Sequence, residues 1–211
     1  MKKITKYIPT IILTLLCSCS DYLDIVPDNV TTLDIVFNNR NTAERYLANC
    51  YHFVPDHGSV KRIPGMGAGH ECWFYTTNDS HFDNEVSFYI ARGLQNIDAP
   101  YANYWDGEGG SNLPMFRAIR ECNIFLDYVR DQHKVNDLTD SERKRWIAEV
   151  NVLKAYYHFF LFEHYGPIPI VDKALPVSTD PEGVKVTRMP VDQIVDYMVN
   201  LIDDSYKDLP P

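Results

Sequence analysis

The chain of 211 residues predicts an all-α fold, a stack of helices interrupted by long irregular loops rich in aromatic side chains. Two observations carry this. Four apolar stripes recur at helical spacing near 42–54, 113–131, 140–165 and 190–207, each bounded by a cap residue, a proline or a glycine. Between the first and second stripes, 57–110 keeps almost no helical period and interleaves aromatic with polar residues.

The elements follow in order. Residues 1–18 read as a secretion leader: Lys2, Lys3 and Lys6 form the basic end, and Ile8 to Leu16 an apolar core too short to span a bilayer. Cys19 has an aliphatic Leu16 three residues before it and a small Ser18 just before it, the pattern a lipoprotein signal peptidase requires. Cys17, preceded by Leu16, fits worse. Cys19 is therefore the expected lipidation site, and several acyl chains there would make a stable anchor. Residues 19–30 form a tether, opening on the acidic Ser20-Asp21-Tyr22-Leu23-Asp24. Cys50, Cys72 and Cys122 remain, an odd number that excludes a complete disulfide framework. Cys50 and Cys122 fall on apolar helix faces.

Residues 31–211 form the helical domain. Thr31 to Phe37 is a capped turn or short helix. Asn41-Thr42-Ala43-Glu44 starts a helix whose Ala43, Tyr46, Leu47, Cys50 and Val54 share a face before Pro55. Val86 to Ala91 is a candidate short strand. Pro114 suits a helix start, and Met115, Phe116, Ile119, Cys122, Leu126 and Val129 line the face that follows. Thr139 and Glu142 form a capping box. The helix they open is apolar on two rows, leaving Asn151, Lys154 and His158 as a narrow polar stripe, so it sits between neighbours. Gly166 and Pro167 end it. The helices at 113–131 and 140–165 form an antiparallel pair. Val191, Ile194, Val195, Met198, Leu201 and Ile202 stripe the last helix.

Charge and motifs narrow the function. The net charge is −9 with pI about 5.2, and no basic stripe is visible, which excludes nucleic-acid binding. His70, Cys72, His81 and Asp83 are zinc-type residues without the spacing of a closed site, and Gly65-x-Gly67-x-Gly69 does not join a strand to a helix. No metal or other cofactor is expected. Asp79, Asp83 and Glu85 could supply the paired carboxylates of a glycosidase, and solvated loop acids are the commoner reading. No nucleophile signature is present. The better site is aromatic-polar. Sugar C–H faces pack on Trp and Tyr, while Asn and Asp take hydroxyls. Trp73, Tyr75, Asn78 and Asp79 offer that mixture, as do Tyr101, Tyr104 and Trp105, with a core role the alternative for Trp73 and the commoner reading for Trp105.

The segment AEVNVLKAYYHFFLFEHYGPIPIV resembles the signature of the RagB/SusD family of nutrient-binding outer-membrane lipoproteins from Bacteroidetes-type bacteria. Ala148, Glu149, Leu153, Ala155, Tyr156, Tyr157, Tyr165, Gly166 and Pro169 fall on its pattern. The resemblance extends to Ile119, Asn123 and Leu126, to the block Thr187 to Pro210, and to the SDYLD opening. It implies a tetratricopeptide-like stack and an acidic tag that sends the lipoprotein to the cell surface. It further implies a non-catalytic capture protein delivering a glycan or other nutrient oligomer to a SusC-like TonB-dependent transporter. Family members run longer, so this chain is expected to represent the N-terminal part. A lipid-anchored glycoside hydrolase is the alternative.

Overall fold

The computed structural model describes residues 32–58, 65–69, 86–98, 100–107, 113–176, 182 and 185–210. The expected leader, Cys19 and the expected tether lie outside them, as do Trp73, Tyr75, Asn78, Asp79 and the carboxylates Asp83 and Glu85. The chain divides into two units, Met1–Ile35 and Val36–Pro211. Of the first, only 32–35 is described; there the Ile35 N–H donates to Thr32 Oγ1. Apart from the short helix Leu33–Val36, all that follows concerns the second.

The described residues are helical and contain no strand. The helices are α1 (Leu33–Val36), α2 (Arg40–Tyr51), α3 (Gly65–Ala68), α4 (Val86–Ala91), α5 (Met115–Arg130), α6 (Asp140–Tyr165) and α7 (Val191–Asp203), followed by a 3-10 turn at Tyr206–Asp208. The four long stripes are all helices. Val86 to Ala91 is corrected from strand to helix. Six residues carry too little periodicity to separate the two, and packing decides: Val86, Ser87 and Phe88 are buried, and the element packs against α3.

Helix α6 is the centre. Its N-terminus carries the capping box, with the Glu142 N–H donating to Thr139 Oγ1 and the Thr139 N–H to Glu142 Oε2. Gly166 closes it at φ 67, a left-handed backbone that disfavours any side chain. Helix α5 runs antiparallel to it: near one end Phe125 meets Trp146, near the other the loop before Met115 meets His164 through Tyr104. The α5–α6 connection is fastened by Arg143. Its guanidinium donates to the carbonyls of Val129, Asp131, Lys134 and Val135. Helix α7 returns antiparallel on a different face of α6, pairing Ser205 with Asn151 and Tyr197 with His158.

The polar stripe of α6 is therefore a buried seam. Asn151, Lys154 and His158 are all buried. Asn151 Nδ2 donates to Ser205 Oγ, and Lys154 Nζ to the carboxylate (2.8 Å) and carbonyl of Asp172. The Val171 N–H points at His158 Nε2, so Nδ1 carries the proton and donates to the Lys154 carbonyl at 2.7 Å. Burial pushes the His158 pKa down to about 4. The unfolded imidazole takes its proton near 6.5, the folded one only near 4. Stability from this group is fully present above about pH 6.5 and is lost as pH falls toward 4, by up to about 3 kcal/mol. Urea titrations across that window should show a slope that flattens in His158→Gln. An unchanged slope would refute the assignment.

Cys50 and Cys122 are buried free thiols in the core, on the apolar helix faces the sequence assigns them, and pack there as small hydrophobes. Among the described residues no helix is long and apolar enough to cross a membrane.

Candidate ligand-binding site

The aromatic loop 100–107 is placed by hydrogen bonds rather than by regular structure. The Tyr104 N–H donates to Tyr165 Oη at 2.8 Å, and Tyr165 Oη donates in turn to the Ala102 carbonyl. The Met115 N–H donates to the Tyr104 carbonyl, which joins the loop to the first turn of α5. The Trp105 N–H donates to Asn103 Oδ1, and Asn103 Nδ2 to Asp106. Gly107 turns the chain at φ 85, where a Cβ would stand 2.9 Å from Pro114. Only glycine fits that approach.

This pinning separates the sequence candidates. Tyr104 is 1% exposed and packs edge-on against Phe160 and His164, so it is a core residue and offers no ring face to a ligand. Tyr101 is half-buried and stacks on Tyr89, the rings 4.2 Å apart and nearly parallel, with its N–H donating to Gln95. Trp105 is half-buried: Phe116 lies 4.6 Å away, Tyr165 meets it edge-on, and the Arg188 guanidinium sits 5.3 Å from its centroid.

Trp105 also lines an open cavity of about 230 Å³ with Phe116, Arg120, Pro169, Lys173 and Leu175. Sequence reasoning missed Arg120, Lys173 and Arg188. They come from three separated segments, and only the fold of the extended Pro167–Pro176 run back over α5 brings them together. That run is held by Asn123, whose Nδ2 donates to the Val171 carbonyl, and by the Arg120 guanidinium, which donates to the Leu175 carbonyl. A second, more polar cavity of about 510 Å³ is lined by Asp106 and Gly107 together with Asn49, His52, Phe53 and Arg117. Among the described residues, no group of His, Cys, Asp or Glu is arranged to hold a metal. The candidate zinc-type set and the sequence candidates Trp73, Tyr75, Asn78 and Asp79 lie outside the described residues.

A family model described as "Starch-binding associating with outer membrane" matches residues 21–210. The chain belongs to this SusD-like family. Solved SusD-like proteins share its fold. One is a laminarin-binding SusD-like protein, TM-score 0.61 at 16% identity, covering 82% of this chain and 35% of that one. A SusD-like protein of Bacteroides fragilis gives 0.60 at 16%, covering 84% and 31%. A SusD-like carbohydrate-binding protein of the same organism gives 0.57 at 21%, covering 83% and 32%. The SusD-like chain thus spans about a third of the length of these structures. No curated protein matches it.

Proposed function

We propose that this SusD-like chain belongs to a non-catalytic binding protein that captures an oligosaccharide at the cell surface and passes it to a SusC-like TonB-dependent transporter. The observation that carries this reading is the match of residues 21–210 to a family described as starch-binding and outer-membrane-associated. The geometry supports it: a loop held rigid by Tyr165 and Asn103 sets the half-exposed Trp105 beside an open cavity. An anchor at Cys19 would hold the protein to the outer membrane facing outward. Palmitate labelling lost in Cys19→Ala is the expected result, and labelling that persists would remove the anchor from this reading.

The ligand face takes in Trp73, Tyr75, Asn78 and Asp79 together with Tyr101 and Trp105. Full-length protein incubated with starch and laminarin oligosaccharides should bind them and return them intact. Trp73→Ala should weaken binding by about 1 kcal/mol, the worth of a stacking contact, at an unchanged Tm. A core Trp73 would instead cost roughly 3–5 kcal/mol of stability and leave the affinity of the folded fraction untouched. Product that disappears when Asp79, Asp83 or Glu85 is replaced would make the protein a hydrolase.

A further inference from the structure

The cavity beside Trp105 is lined by two cations and by no carboxylate. The chain is acidic overall, with net charge −9. Arg40, Arg117, Arg145, Lys154 and Lys185 each sit in an ion pair with a carboxylate. Arg120 and Lys173, which line the cavity, and Arg188, which stands against its Trp105 wall, have no ion-pair partner among the described residues. Asp172, the acid next to Lys173 in sequence, is turned to the opposite side, where it meets Lys154 and Tyr197.

Two of the three guanidinium and ammonium groups are held in place by backbone. Arg188 Nη1 donates to the Pro167 carbonyl at 2.9 Å and Arg120 Nη1 to the Leu175 carbonyl, which leaves each guanidinium with further N–H groups to offer. Lys173 is exposed and free to reach a ligand. The remaining wall is Trp105, Phe116, Pro169, Val171, Leu175 and Val186, apolar and partly aromatic. Two cations lining an apolar floor recognise a ligand with an anionic edge and an apolar face. A volume of about 230 Å³, below the roughly 300–1,000 Å³ of sites for drug-sized ligands, has room for one sugar ring.

We propose that this cavity binds a single pyranose unit bearing an anionic group, a carboxylate or a sulfate, and so selects charged glycans over neutral ones. The inference rests on the glycan-binding reading above and adds to it the class of ligand. The experiment is an NMR titration of the full-length protein, at physiological ionic strength, with glucuronic acid, glucose 6-sulfate, glucose and inorganic sulfate. One or both acidic sugars should bind at least about tenfold more tightly than glucose, and the stronger of the two identifies the anionic group. Lys173→Gln and Arg188→Gln should each weaken the acidic sugar roughly fivefold and glucose by much less, while Lys207→Gln, remote from the cavity, changes neither. Glucose binding as tightly as the acids, or a charge preference that survives both variants, would overturn the inference and spare the glycan-binding reading. Inorganic sulfate binding as tightly as the sugars would reduce the site to a bare anion patch and overturn it equally. Failure of every saccharide, starch and laminarin oligosaccharides included, would remove both.

Discussion

Tyr157→Ala is expected to lose about 3–5 kcal/mol of folding stability, measured by urea denaturation. Tyr157 is fully buried on α6, and its hydroxyl donates to the Cys50 carbonyl of α2 at 2.5 Å. The substitution empties a ring-sized volume between two helices that are far apart in sequence, and a well-packed core refills such a space only in part. It also leaves a buried carbonyl without its donor. Tyr157→Phe isolates the second effect, since it keeps the ring and removes the hydroxyl; it should cost about 1–2 kcal/mol. Phe159→Ala, two residues along the same helix, is the surface comparison: Phe159 is 48% exposed and should cost far less. Equal losses for Tyr157→Ala and Tyr157→Phe would show that packing is not the dominant contribution there.

The second large effect is an asymmetry within one ion pair. Lys154 is 1% exposed at its side chain and Asp172 is 73% exposed, although Nζ and Oδ1 stand 2.8 Å apart. Removing Asp172 strands an ammonium in the core with one carbonyl for company, so Asp172→Ala should cost about 3 kcal/mol. Removing Lys154 strands nothing. The Asp172 carboxylate faces water and keeps the Tyr197 hydroxyl as donor, and methionine fills the space of the lysine stem. Lys154→Met should therefore cost under about 1.5 kcal/mol. Burial already lowers the Lys154 pKa, and Asp172 opposes that shift. In Asp172→Ala the folded-state pKa falls further below the unfolded one. The variant should then regain stability as pH rises through that interval, because the unfolded chain holds the proton that the folded chain gives up. Equal costs for the two substitutions would refute the asymmetry.

The sequence by itself determined the helices and the family. Those signals are local. Thr139 and Glu142 cap a helix through atoms three residues apart, Gly166 ends it through its own backbone, and the apolar rows of α5, α6 and α7 repeat within a few turns. The stretch from Ala148 to Val171 carried the SusD-like resemblance for the same reason. Short or irregular elements were not legible this way. Val86 to Ala91 is too brief for its period to outweigh its β-branched residues, and it is a helix because its Val86–Phe88 turn is buried beside α3. Tertiary structure alone decided which side of each aromatic faces solvent. Tyr104 and Trp105 are neighbours of similar character, yet the first is core and the second borders a cavity. The register of their loop is fixed by Tyr165, about sixty residues away along the chain. The polar stripe of α6 shows the same limit. Asn151, Lys154 and His158 read as polar positions, and only the return of α7 and the Ile168–Asp172 run over them made that stripe a buried seam. The meeting of Arg120 and Lys173 at one cavity, with Arg188 against its Trp105 wall, had no sequence signature, because it is set by contacts between segments and not by spacing along one of them.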